Sequence, residues 1–384
     1  MLKVIVGHSN DPDSAYAIAE VLDQCHHQLA SLQPKAALLF AAPDFDHRLI
    51  LQTIHQHFPD LLLIGGTSDG ELSSTLGVQE DSIILTLFCS DEIAFSAVVG
   101  RHVSQNLQDV VHKTVDAAKR TLKAEAQLCI TTPESLTISA VNLLNTLTSC
   151  LGDSVPVIGG TTTDQWKFGQ TYQFFGTEVL SDAMPILLLG GNFKFGYGVA
   201  SGWTPIGKVG TVTKVDGNVL YEVNGEPALD FYKGYLGNIR PSPSYRLAVF
   251  APESDHWYIR TSNGTYSEAD GRIAFFADIP AGSTVQVVRA NRDDIIVAAD
   301  TSLQSALDNY PGADPDFALF LSCTGRLQVL GTRADEVYKI VEQRLGQKPV
   351  CCGFYTYGEI APLFPGQRSH FHNETFITLL LGSQ

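Results

Sequence analysis

One pattern occurs three times along the chain, and it constrains the fold more than any other feature. An apolar run ends in a glycine turn, a polar stretch follows, and a second apolar run comes after it. The first copy is Leu61-Leu-Leu-Ile-Gly65-Gly66-Thr-Ser-Asp-Gly70-Glu71, followed by Ser82-Ile-Ile-Leu-Thr-Leu-Phe88. The second is Val155-Pro-Val-Ile-Gly159-Gly160-Thr-Thr-Thr-Asp164, followed by Pro185-Ile-Leu-Leu-Leu-Gly190. The third is Pro349-Val-Cys-Cys352-Gly353-Phe-Tyr-Thr-Tyr-Gly358-Glu359, followed by Asn373-Glu-Thr-Phe-Ile-Thr-Leu-Leu-Leu381. Glycine loops held at strand ends are where an α/β protein presents a ligand site.

Each copy has the same upstream context. Ala36-Ala-Leu-Leu-Phe40, Ala126-Gln-Leu-Cys-Ile130 and Phe317-Ala-Leu-Phe-Leu-Ser322 are short apolar runs that suit buried strands. Between them and the glycine turns lie His47–Phe58, Pro133–Leu151 and Arg333–Leu345, with apolar residues at helical spacing, such as Val337, Ile340, Val341 and Leu345. The unit is therefore strand, helix, strand, polar loop, strand. The crossover makes the first two strands parallel, and the third returns antiparallel. The expected fold class is α/β: repeated strand–helix–strand–strand units forming mixed sheets flanked by helices, in two domains.

At 384 residues the chain exceeds the usual size of one core. Its net charge of −16 argues against nucleic acid and anionic membrane surfaces, because phosphates are repelled. No apolar run approaches the ~20 residues of a membrane span. Met1-Leu-Lys-Val-Ile-Val-Gly7 reads as a first strand, not a signal peptide. The seven cysteines are odd in number, scattered, and without a CxxC pair, which fits reduced thiols and a cytoplasmic location.

Further along, Asp13 or Ser14 caps a helix over Ala15–Leu32. A strand Ile93–Val99 closes the first copy, and a helix Gln105–Lys123 leads to the second. After it come a strand Lys194–Trp203, a hairpin turning at Asp216-Gly217, and a helix Ala228–Leu236. Tyr245–Val297 reads as alternating strands with little helix, a β-rich insertion standing where a fourth copy would be. The domain boundary is expected near Gly225, giving domains 1–225 and 226–384, with two copies in the first and one in the second.

Several of these residues together resemble the FIST sensory domain family. In the N-terminal part the resemblance rests on Asp11-Pro-Asp13, the Ile64-Gly-Gly66 and Ile158-Gly-Gly160 turns, and Gly202-Trp203-Thr-Pro205. At the join it rests on Leu220-Tyr-Glu-Val-Asn-Gly-Glu-Pro-Ala228 and Phe231-Tyr232. In the C-terminal part it rests on Ser322-Cys-Thr-Gly-Arg326, Gly353-Phe-Tyr-Thr-Tyr-Gly-Glu-Ile360 and Phe371-His-Asn-Glu-Thr375. The resemblance implies an intracellular small-ligand sensor that regulates a partner such as a histidine kinase or a diguanylate cyclase. One branch looks like free-standing haem proteins that sense nitric oxide. A chain that ends at Gln384, directly after the last strand with no output domain attached, fits that branch. The cofactor expected from this branch is haem, with an amino acid or other small molecule, and no haem, as the alternative. Self-association into a homodimer is compatible with either.

Candidate residues follow. Arg326, at the end of a buried strand, suits a bidentate pair with a carboxylate, propionate or phosphate, or an internal ion pair. Phe354, Tyr355, Tyr357 and Glu359 form the densest polar–aromatic cluster. Extended, they set Tyr355, Tyr357 and Glu359 on one face, which suits an amine-bearing ligand or core packing. Cys323 is the best-placed thiol, with Arg326 near it. Asn373 lies beside His372, the first choice of axial ligand among His8, His102, His112 and His256; a His370/His372 metal pair lacks further ligands. Gly66-Thr-Ser68-Asp-Gly70 spells a hydrolase elbow. An elbow needs a helix after the serine, however, and Glu71–Asp81 reads as a polar loop. The expectation is a binding protein and not an enzyme, with serine hydrolase the remote alternative.

Overall fold

Each copy of the pattern becomes half of a layered α/β block because its apolar runs alternate between two buried faces. In the strand Ala36–Ala41, Leu38 and Phe40 join a central core, while Ala37, Leu39 and Ala41 face the neighbouring helices. A computed structural model describes residues 1–237, 246–250, 256–346 and 349–383. It divides into two compact units: residues 1–200, 296–371 and 375–384 form the first, and 201–295 with 372–374 form the second. All three copies lie in the first unit, apart from residues 372–374 of the third. The boundary expected at Gly225 thus falls inside the second unit, in the turn between the strands Val219–Val223 and Glu226–Pro227.

The first unit contains three six-stranded sheets of one design. In copy one an edge strand Lys3–Ser9 leads through helix α1 (Ser14–Leu29) to Ala36–Ala41. Helix α2 (His47–His57) leads on to the glycine strand Leu62–Thr67. A hairpin, Glu71–Ser73 and Gly77–Gln79, precedes the return strand Ile83–Cys89. Asp13 caps α1, accepting from the amides of Ala15 and Tyr16. Copy two repeats the order with the edge strand Ile93–Arg101, α3 (Leu107–Thr121), Ala126–Thr131, α4 (Ala140–Leu151), the glycine strand Val157–Gly160, the hairpin Gln173–Phe175/Glu178–Leu180 and the return strand Ala183–Gly191. Copy three begins at Lys194–Ala200 and resumes after the second unit with Phe317–Cys323, the glycine strand Val350–Thr356, the hairpin Glu359–Pro362/Ser369–His372 and the return strand Phe376–Gly382.

Pairing is the same in all three. The strand before each crossover runs parallel to its glycine strand, and the return strand lies antiparallel beside it. The mixed sheet expected from the sequence is therefore present. Ile93–Arg101, expected to close copy one, instead pairs with the return strand of copy two. Likewise Lys194–Ala200 pairs with the return strand of copy three.

The hairpins tie the copies into a ring. The hairpin of copy two pairs with the glycine strand of copy one, Gln173 opposite Gly66. That of copy three pairs with copy two, Glu359 opposite Gly160. That of copy one pairs with copy three, Glu71 opposite Phe354. This register makes Gly65, Gly159 and Gly353 equivalent, with Phe354 standing where Gly66 and Gly160 stand. A Cβ at Gly65 would fall 1.8 Å from the Leu39 carbonyl oxygen, and one at Gly159 2.0 Å from that of Thr131. Only glycine admits that approach. The inner faces of the three sheets meet in one cluster that includes Leu38, Ile130, Leu189, Leu319, Phe354 and Leu379.

The second unit is an antiparallel seven-stranded sheet, closed by pairing of its long first strand, Thr204–Asp216, with Val219–Val223. Helix α5 (Ala228–Leu236) contributes Leu229 and Tyr232 to its core. It lacks the crossover of the copies, so it is an insertion into copy three and not a fourth copy. Helix α6 (Arg292–Asn309) begins inside the stretch expected to hold little helix. Residues 245 and 251–255 of that stretch, and Gln384, lie outside the described residues.

Candidate functional site

The polar loops after the glycine strands are held by three equivalent clamps. The first residue of each hairpin reaches back to a hydroxyl of its own loop and forward to the start of the return strand. In copy one Glu71 accepts from the hydroxyls of Ser68 and Ser82. In copy two the Gln173 amide donates to Thr162 Oγ1 (2.8 Å) and its carbonyl accepts from the Ala183 amide (3.1 Å). In copy three Glu359 accepts from Thr356 Oγ1 (3.1 Å) and from the amide and hydroxyl of Thr375 (3.0 and 2.7 Å). Glu71, Gln173 and Glu359 are all wholly buried. Every polar atom in such a place needs a partner, and the clamps supply them.

So positioned, the loops bring two carboxylates and a phenol together. Tyr357 donates to Asp164 Oδ1 at 2.6 Å and accepts from the Trp166 amide at 2.7 Å. Asp69 accepts from Thr324 Oγ1 at 2.5 Å and from the Gln165 amide at 2.6 Å. Asp164 also binds the amides of Phe168, Gly169 and Gln170 at 3.0, 2.7 and 3.1 Å. These bonds hold a backbone that three non-glycine residues would otherwise avoid: φ is +56° at Gln165, +62° at Trp166 and +48° at Phe168. The strained turn lays the Trp166 and Phe168 rings beside Tyr357, with centroids 6.1 and 5.2 Å from its own. Asp69 and Asp164 are buried and Phe168 is 41% exposed, so the cluster runs from a closed acidic base to an open aromatic rim.

Burial sets the electrostatics. It raises the Asp69 carboxyl above its ordinary range, and Asp164 nearby adds to the rise. The Tyr357 phenol is pushed up by burial and then by Asp69 and Asp164, so it stays a donor. Burial pushes Glu71 up to about 8, against the pull of the Ser68 and Ser82 hydroxyls. Close by, His8 bonds Ser73 and Ser82 through its two ring nitrogens (2.7 and 2.9 Å) and is lowered to about 4 by burial.

Of the residues nominated from the sequence, Tyr357 alone belongs to this cluster. Tyr355 is buried, and its amide donates to the Gly70 carbonyl at 2.9 Å. The strand ends at Thr356 and the next begins at Glu359, so the run is not extended and Tyr355, Tyr357 and Glu359 do not share a face. Glu359 is a clamp. Phe354 stacks on Phe40 at 3.6 Å within the central core. Arg326 stands on helix α7 (Thr324–Leu330), not on a loop. It is fully buried, with Nε donating to Ser322 Oγ at 3.3 Å and its guanidinium 5.5 Å from the Phe376 ring centroid. Cys323 is the buried residue preceding α7. His372 and Asn373 are buried and group with the second unit, and His370 is exposed. Among the described residues no three His, Cys, Asp or Glu side chains are grouped to hold a metal.

Two of the nominated features change chemical meaning. Haem needs an apolar cleft open to the porphyrin and cations within reach of its propionates. Phe354 is taken up by the core and Arg326 is enclosed, so these residues do not fit the group. Ser68 is buried, bonded to Glu71, and followed by a β-hairpin where an elbow requires a helix and where a polar loop was expected. Asp69, Asp164, Trp166 and Phe168 were missed. The signal available was positional: Asp69 and Asp164 lie in equivalent loops of two copies.

Three cyclically joined α/β copies with a closed β-sheet insertion define the class of protein. The FIST N domain model matches residues 35–226 and the FIST C domain model residues 228–362, so the chain belongs to the FIST family, a family of small-ligand sensing domains. The two models meet beside Gly225, although the compact units divide elsewhere. Uncharacterized proteins of Mycobacterium bovis and Mycobacterium tuberculosis are 24% identical to the chain, each over 94% of it and 95% of their own length. An uncharacterized protein of Methanocaldococcus jannaschii is 27% identical over 50% of the chain, and the match spans 39% of that protein. Among solved structures, a cyanuric acid hydrolase from A. caulinodans aligns over 100% of both chains with a TM-score of 0.41 and 8% identity. A chorismatase aligns over 100% of this chain and 98% of its own with a TM-score of 0.36 and 8% identity. Among the described residues no helix is long and apolar enough to cross a membrane.

Proposed function

We propose that the chain is a cytoplasmic sensor of a small amine-bearing ligand, an amino acid being the simplest case. It passes a conformational signal to a separate histidine kinase or diguanylate cyclase. The observation that carries this reading is the Asp69–Asp164–Tyr357 base beneath the Trp166 and Phe168 rings. An ammonium group is drawn both to carboxylates and to aromatic faces. A ligand that supplies new contacts to the positive-φ turn at 165–168 would shift its balance of conformations and so carry the signal. Haem as the cofactor and nitric oxide as the signal rest on the family resemblance alone.

The test is titration with the common amino acids and simple amines, read by calorimetry and by indole fluorescence. Saturable binding that is lost in Asp69→Asn and in Trp166→Ala, with the fold retained by circular dichroism, supports the reading. Binding that survives both substitutions places the ligand elsewhere. An absorption spectrum after expression with haem supplied tests the other expectation: a Soret band would replace the amine reading with haem.

A further inference from the structure

We propose that His26 and His57 form a surface site for a divalent transition-metal ion, of the copper(II) or nickel(II) kind. His26 Nε2 lies 2.8 Å from His57 Nδ1, and both rings are exposed. They come from the last turns of α1 and α2, which pack side by side. The negative ends of two helix dipoles therefore lie at the pair, and both favour a cation there. Phe58 supports the arrangement, its ring centroid 5.3 Å from His26 and 6.3 Å from His57.

The spacing suits two neighbouring positions on one ion, provided the rings keep it as they turn. With metal–nitrogen bonds of about 2.0–2.1 Å, a 2.8 Å separation of the nitrogens subtends roughly 85° at the metal. That is near the right angle between neighbouring positions of a square-planar or octahedral ion and well short of a tetrahedral angle. As the rings stand, one nitrogen donates to the other. Binding requires the donor ring to carry its proton on its other nitrogen and each ring to turn by roughly 45°, so that both lone pairs meet at one ion instead of facing each other. Exposure permits the turn, and no proton is gained or lost when both rings are neutral. No third His, Cys, Asp or Glu joins them among the described residues, so water completes the shell. The site is separate from the three-loop cluster, and no part of the proposed sensing reaction needs it.

The experiment is calorimetric titration of Ni²⁺ into the full chain, freed of any affinity tag, near pH 7.5. One saturable equivalent is expected. It should weaken by more than about tenfold in His26→Gln and in His57→Gln, since loss of a direct ligand exceeds the 10–100-fold range at its lower end that supporting residues give. It should persist in His27→Gln and His55→Gln, which remove exposed neighbours on the same two helix ends. All four side chains are exposed, so unchanged circular dichroism is expected throughout. No saturable heat overturns the proposal, as does a full equivalent that survives His26→Gln or His57→Gln.

Discussion

At the scale of single residues, the clamps explain why a glutamate that reads as a ligand contact is structural. Glu359 accepts three hydrogen bonds inside the protein, and copy two makes the equivalent bonds with Gln173. A neutral amide is therefore sufficient at this position. Glu359→Gln should cost less than about 1 kcal/mol, its Nε2 facing Thr356 and its carbonyl facing Thr375. Glu359→Ala leaves buried hydroxyls and an amide unpaired, at about 1–3 kcal/mol for each. Urea unfolding midpoints of the two variants distinguish a clamp from a ligand contact. Equal losses would contradict the clamp. The same logic accounts for what the sequence hid. Glu359 and Tyr357 stand two apart in one polar turn, yet one faces the return strand and the other faces Asp164.

Among elements, the copy-one hairpin carries a titratable clamp, and its pH dependence has a definite sign. Glu71 is held protonated to about 8, above its ordinary value of 4.5. Its contribution is full below 4.5 and is lost as the pH rises toward 8. His8 is held neutral down to about 4, below its ordinary 6.5, so its contribution is full above 6.5 and is lost as the pH falls toward 4. Between 4.5 and 6.5 the two slopes oppose each other. The joint contribution of Glu71 and His8 should therefore be flat there and should fall from 6.5 to 8, by up to about 1.4 kcal/mol per pH unit. Glu71→Gln should flatten the alkaline fall, which thermal unfolding at stepped pH would reveal.

Element identity was legible where the period was clear. The glycine strands, the strands before them and helices such as Ala228–Leu236 follow directly from apolar runs and helical spacing. Three kinds of element were not legible. Helix α7 opens with Thr324-Gly325-Arg326, residues that read as a loop. The Glu71–Gln79 hairpin is short and polar because it lies on a neighbour's sheet edge. The partner of Ile93–Arg101 is chosen by a return strand far along the chain, which local pattern does not report.

For the whole molecule, the ring of exchanged hairpins has a kinetic consequence. A chain made from its N-terminus cannot finish its first module first. Glu71–Ser73 pairs locally with Gly77–Gln79, but its other edge has a partner only after Val350–Thr356 has left the ribosome, and Leu62–Thr67 waits for Gln173–Phe175. Until then both present unpaired sheet edges, which recruit wrong partners. Arrested chains ending before Val350 should be protected along Ala36–Ala41 but open to proteolysis around Gly77, which should close once the last glycine strand emerges. Protection of Gly77 in the shorter chains would mean that another edge receives it. For a protein built this way, the last segment made is the keystone of the first.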